Sequence, residues 1–268
     1  MRMKRFIKCM GRVALSAFLI AMLAEHAFAA LPFISDDAGT LDKGTSQVEL
    51  SYERSADKET VDGSAVEIDG NQIAATFGHG IAETLDLTLG FARPWGKYVE
   101  DDVSSNEVGT ADFTLNAKWR FYEHSGFVFA VKPEIGYSYL VGGANEDHTT
   151  SYGGWLIATK ETEALAVTLN GGYFYNDYGS ATERDASRGN IWSISAVATY
   201  EVFEGLALGL DVGVSTNPDK SSSKMPAYTL GGAIYSLNKN VDLSLGLKFG
   251  ITNPEPDFSG IAGLTIRF

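Results

Sequence analysis

Residues 258–268 (FSGIAGLTIRF) constrain the fold more than any other stretch of this chain. Phe258, Gly260, Ala262, Leu264, Ile266 and Phe268 share one face of a strand; Ser259, Ile261, Gly263, Thr265 and Arg267 share the other. The strand runs to the last residue of the sequence, an apolar aromatic. Chain ends ordinarily fray unless they are tied into structure. A sheet closed on itself has no free edge, so its last strand must pair with its first. The expectation is a closed barrel.

The start of the sequence agrees. Arg2, Lys4, Arg5, Lys8 and Arg12 form a basic region, residues 13–23 an apolar run, and Ala27-Phe28-Ala29 a small-residue cleavage site. That is the pattern of a Sec signal peptide over residues 1–29. The alternative, a transmembrane anchor, has too short an apolar run to span comfortably. Cys9, the one cysteine, lies inside this segment and not at a lipoprotein cleavage position. The exported chain therefore has neither disulfides nor a cysteine-based metal site.

Removing residues 1–29 takes five of 21 basic residues and one of 34 acidic residues, leaving 16 against 33 and a formal charge near −17. Nucleic acid is disfavoured as a partner, because phosphate contacts need a basic surface. No later apolar run approaches the length of a transmembrane helix. With 29 glycines and only 7 prolines, the composition suits many packed strands joined by tight turns.

Residues 30–45 carry turn formers without a period and read as a periplasmic N-terminal segment. Residues 46–268 read as the barrel, with alternation recurring in about twelve segments. The clearest is 110–122, where Phe113, Leu115, Ala117, Trp119 and Phe121 oppose Asp112, Thr114, Asn116, Lys118 and Arg120. Segment 152–160 has apolar residues in both registers, so its inner face stays open. Links 79–84, 123–126, 161–164, 201–205 and 238–240 are short. Links 55–70, 95–108, 142–151, 176–189, 215–226 and 252–257 are mostly longer. Such alternation is expected when short turns face the periplasm and loops face outside. The predicted fold is all-β, a transmembrane antiparallel up-and-down β-barrel of about twelve strands. A soluble sandwich or lipocalin-like barrel would instead carry its apolar face inward and ordinary polar residues outward. Here the polar face carries paired charges, and the other face carries aromatics near strand ends.

The polar faces converge on the lumen, and their main charged members are Asp86, Asp112, Lys118, Arg120, Lys132, Glu134, Asp242, Lys248 and Arg267. These residues either pair across adjacent strands and fill the lumen, or line a pore and set its selectivity. Lys118, Arg120, Lys132 and Glu134 are expected at similar heights, as a belt with excess positive charge that favours neutral or anionic solutes. His79, His124 and His148 are too dispersed for a metal site. His124-Ser125 invites comparison with outer-membrane hydrolases but has no carboxylate or amide placed to orient the ring. The acidic loops, with Glu100-Asp101-Asp102, Glu146-Asp147, Glu183 and Asp185, read as solvated charge, or else as holders of divalent cations bridging lipopolysaccharide. No cofactor or nucleotide motif is present.

Two resemblances follow. Phe268 resembles the terminal Phe of bacterial outer-membrane barrels, which implies recognition by the barrel-assembly machinery. Leu31-Pro32-Phe33-Ile34-Ser35-Asp36-Asp37-Ala38-Gly39-Thr40, with Gly44 and Glu49, resembles the start of an outer-membrane "transporter" family named for a MetA pathway of phenol degradation. Asp112-x-x-Leu115-x-x-Lys118-Trp119-Arg120-Phe121 and residues 260–268 resemble that family's mid-barrel and final strands. The resemblance implies an outer-membrane location among lipids and lipopolysaccharide, and passage of small, often aromatic or hydrophobic, solutes. It supplies no catalytic residues. The expected function is a passive channel; the rivals are a structural or adhesive barrel and an outer-membrane hydrolase.

Overall fold

The computed structural model describes residues 31–61, 64–100, 103–144 and 147–268. The expected signal peptide, and Asp101, Asp102 and Glu146 of the acidic loops, lie outside the described residues. The strands are β1 (Ser46–Val61), β2 (Ser64–Ala82), β3 (Leu85–Glu100), β4 (Val103–Glu107), β5 (Thr110–His124), β6 (Phe127–Leu140) and β7 (His148–Glu161). They continue as β8 (Leu165–Tyr178), β9 (Asn190–Phe203), β10 (Leu206–Ser215), β11 (Ala227–Asn238), β12 (Val241–Gly250) and β13 (Phe258–Arg267). A single turn of helix, α1 (Ala181–Ala186), sits in the β8–β9 loop.

All strands except β4 form one closed antiparallel ring of twelve, each paired with its neighbours in sequence. β13 closes on β1, in register from Gln47↔Arg267 to Ala56↔Phe258. Closure pairs backbone groups that an open edge would leave exposed, which a membrane-spanning sheet requires. The side chains obey the same logic. Along β8, Leu165, Val167, Leu169, Tyr173 and Tyr175 point outward and are exposed, while Thr168, Asn170, Phe174 and Asn176 are buried inside. Leu156, Trp192, Ile194 and Leu245 are each more than 60 % exposed on the outer surface. A continuous apolar band of this extent is stable only where lipid replaces water.

Two expected loops prove to be largely strand. Residues 55–70 and 95–108 extend the β1–β2 and β3–β4 hairpins beyond the ring. Their pairing continues because Val66 and Ile68 are buried there with Tyr98 packed against them. Lys58 also bridges Glu67 across the hairpin at 2.7 Å. The ambiguous strand, β7, places Trp155, Ile157 and Thr159 inside and Tyr152 and Leu156 outside.

The interior is lopsided. Trp155, Ile157, Phe174, Ile191, Val197, Tyr228 and Leu230 fill the side formed by β7, β8, β9 and β11. The side formed by β1, β2 and β3 has no large apolar residue at Ser51, Ala74, Gly90 and Ala92 and carries polar ones inward, among them Glu49, Glu53, Gln72 and Asp86. The segment read as periplasmic, described from Leu31 onward, lies inside the barrel against the filled side.

Candidate functional site

Small side chains on the inner wall make room for the N-terminal segment. A Cβ added to Gly209 would sit 2.4 Å from Phe33 Cζ, and one on Gly232 would sit 2.6 Å from Pro32 Cγ. Phe33 therefore reaches the wall and packs with Val197, Tyr228, Leu230 and Ile261. Further along, Ala38 packs with Val128, Ala130, Trp155, Ile157 and Phe174.

Polar anchors hold the backbone between these two apolar contacts. Asp211, fully buried on β10, accepts hydrogen bonds from the backbone N–H of Ile34 and Ser35 and from the Ser35 hydroxyl, each at 2.8 Å, and from the Tyr228 hydroxyl at 3.2 Å. Asn170 donates to the Asp36 carbonyl at 2.9 Å and accepts from the Asp36 N–H at 3.1 Å. The Thr159 hydroxyl accepts from the Ala38 N–H at 3.0 Å.

The Asp36 carboxylate then crosses to the β5–β6 wall. Its two oxygens take Lys118 Nζ at 2.9 Å and Lys132 Nζ at 2.8 Å. Lys118 also donates to the Asp37 carbonyl at 3.1 Å. The Lys132 and Asp36 side chains are only 2 % and 5 % exposed. Removing one member of such a buried group leaves uncompensated charge and costs about 3–5 kcal/mol.

Beside this latch lies a luminal cavity of about 250 Å³. Leu31 and Ile234 give it an apolar side, and Glu49, Thr76, Thr88 and Asn116 are among its polar lining. At its edge Arg267 pairs with Asp242 at 2.6 Å and donates to Gln47 at 2.9 Å. Glu49 accepts from Gln47 and from the Thr76 hydroxyl, and Asp86 accepts from the Leu41 N–H.

Of the nine charged residues singled out by pattern, Asp86, Lys118, Lys132, Asp242 and Arg267 line this cavity. The other four do not. Lys248 lies near the loop end, bound to Glu53 at 3.3 Å and Glu255 at 3.0 Å. Asp112 accepts from Thr110 at 3.1 Å, and Glu134 accepts from Asn116 at 3.3 Å. Arg120 turns to Glu123 and the Glu83 carbonyl at the turn end. The expected belt is therefore corrected in its members: Arg120 is not part of it, and Lys118 and Lys132 share the single carboxylate of Asp36. Pattern reading missed Asp36, Asn170 and Asp211. The only signal for Asp36 was its place in the motif of residues 31–40; Asp211 is a lone acid on an inward face.

A closed twelve-stranded barrel with a lipid-facing apolar surface, its lumen occupied by its own N-terminal segment, defines an outer-membrane β-barrel protein. The chain belongs to the family described as "Putative MetA-pathway of phenol degradation", whose model matches residues 34–268. No curated protein is significantly similar in sequence. Among solved structures, an outer-membrane channel from Pseudomonas putida F1 is similar with a TM-score of 0.67 at 16 % identity, covering 87 % of this chain and 99 % of that one. The transport unit of the autotransporter AIDA-I from Escherichia coli gives 0.58 at 13 % identity, covering 94 % and 97 %. The NanC porin gives 0.54 at 10 % identity, covering 82 % and 98 %. These likenesses are of fold.

Proposed function

We propose that this protein is a passive outer-membrane channel for small solutes, exported by a signal peptide at residues 1–29 and inserted by the barrel-assembly machinery through Phe268. The observation that carries the reading is the lopsided lumen. The N-terminal segment packs against the filled side, and the cavity beside it is lined on β1, β2 and β3 by Gln47, Glu49, Thr76, Gly78, Asp86 and Thr88. A purely structural barrel gains nothing from leaving that side empty, since a filled core is more stable. A space of about 250 Å³ suits a single-ring solute better than a sugar oligomer. The family's description and the apolar flank of Leu31 and Ile234 favour small aromatic compounds. Catalysis is not part of the reading: His124 and Ser125 sit at the β5–β6 turn, and Ser125 takes a positive φ of 51° there.

Purified protein in planar bilayers should give small, discrete conductance steps, and proteoliposomes should swell in phenol-sized solutes but not in trisaccharides. An absence of both would favour the structural barrel. In the proposed orientation the turn at 239–240 faces the periplasm and the loop at 216–226 faces outside. A tag at Ser222 should be reachable on intact cells and one at Asn238 only after permeabilisation; the opposite pattern would invert the barrel.

A further inference from the structure

We infer that the outer wall at the turn end of β5, β6 and β7 binds an anionic phospholipid, with an acyl chain in an aromatic groove and the phosphate on Lys160. The inference takes only its leaflet from the orientation proposed above; passage through the lumen plays no part in it.

A β-bulge builds the groove. Arg120 pairs with Ala130 and Tyr122 with Phe129, so Phe121 is the extra residue between them. Without it, Tyr122 would alternate to the luminal face. With it, Phe121 and Tyr122, consecutive in the chain, both stand on the lipid side, 50 % and 48 % exposed. Bulges re-aim side chains in this way. The Phe129 ring centroid lies 6.4 Å from that of Phe121 and 5.6 Å from that of Tyr122. These three rings and Phe127 line an apolar groove of about 600 Å³, with His124 and Ser125 at its turn end.

The rim supplies the head-group contact. His124, Phe127 and Lys160 stand opposite one another on the last rungs of β5, β6 and β7. Lys160 Nζ is 4.2 Å from the centroid of the Phe127 ring and donates to the Ser125 carbonyl at 2.6 Å. Both partners are neutral, and among the described residues no carboxylate pairs with this ammonium. Glu123 and Glu161, next to this row in the chain, fall on the alternate face, and Glu123 is taken by Arg120. An ammonium with donors to spare at the edge of an apolar groove is placed for a phosphate oxygen. Its uncompensated charge favours a head group with net negative charge; a zwitterionic head brings its own ammonium and gains less. In the proposed orientation this end meets the periplasmic leaflet, so the occupant is a phospholipid and not lipopolysaccharide.

Native mass spectrometry of the purified protein tests this with phosphatidylglycerol and phosphatidylcholine of the same acyl chains, with heat-modifiable mobility as the check that each variant is folded. The wild type should retain a single lipid and prefer phosphatidylglycerol by about fivefold, the scale of one basic residue at an anionic surface. Lys160→Gln should bring that preference to unity. Lys239→Gln, at an exposed lysine on the β11–β12 turn, should leave it unchanged. Phe121→Ala should weaken retention of both lipids and keep the preference. Equal retention of the two lipids by the wild type overturns the inference, as does an equal effect of the two lysine substitutions. Stronger retention of lipid A than of phosphatidylglycerol, or a protein dimer in place of the lipid adduct, gives the groove another occupant and overturns it as well. Tag accessibility at Ser222 and Asn238 reads the orientation, and conductance reads the channel, so each can fail separately from the lipid site.

Discussion

Asp36→Asn should unseat the luminal segment and raise single-channel conductance several-fold. The wild-type carboxylate satisfies two buried ammonium groups at once. An amide keeps the shape but can accept from only one of them, and it turns a donor towards the other. Lys118 or Lys132 is then left charged, buried and unpaired, at a cost of about 3–5 kcal/mol. The remaining attachments of the segment include the Asp211, Asn170, Thr159 and Asp86 hydrogen bonds and the packing of Phe33 and Ala38. Neutral bonds of this kind contribute about 0.5–1.5 kcal/mol each and those to a charged acceptor about 1.5–3 kcal/mol, so the loss removes a substantial share of the seating energy. The ring of twelve strands does not depend on the latch, and the barrel should stay folded. Larger conductance steps, together with new protease cleavage between residues 31 and 41, are the expected readouts. Wild-type conductance with a protected segment would show that Asp211 and the apolar contacts hold it unaided.

Leu245→Arg should block membrane assembly, and this substitution separates the barrel from any soluble relative of the same shape. Leu245 lies mid-way along β12, is 66 % exposed, and stands between Ala233 and Ala262 on the neighbouring strands. In a water-soluble barrel a charge at such a position would be neutral or would help solubility. Facing the middle of a bilayer, Arg costs about 2–4 kcal/mol. Urea unfolding of protein refolded into lipid vesicles measures the difference, and heat-modifiable mobility of the cellular protein reports assembly. A variant as stable as the wild type in vesicles would mean that this face does not meet the hydrocarbon core.

The strand content and the inside-out polarity were legible in the chain because both rest on a two-residue period. Phe113, Leu115, Trp119 and Phe121 stand outside, and Asp112, Thr114, Asn116 and Lys118 inside, as their alternation predicts. Where the period lost contrast, so did the reading. In β7 both registers hold apolar residues, and only contact with Ala38 and Phe174 explains why Trp155 and Ile157 belong inside. Polar composition made 55–70 look like a loop. Ladder bonds to β2 and a small apolar cluster at Val66, Ile68 and Tyr98 keep it a strand.

The sequence by itself determined a twelve-stranded ring with an apolar exterior, because each strand's faces are set by residues two apart on the same strand. It also marked Asp86, Lys118, Lys132, Asp242 and Arg267, which line the luminal cavity, but passed over Asp211. Which of those charges meet was decided only by the tertiary structure. Lys118 and Lys132 find their carboxylate 82 and 96 residues away, on a segment with no period of its own. That segment is placed by gaps at Gly209 and Gly232 and by one buried acid at Asp211. Neither a gap nor a long-range ion pair leaves a local pattern. Both arise from closing the ring, which brings strands distant in sequence around a common lumen.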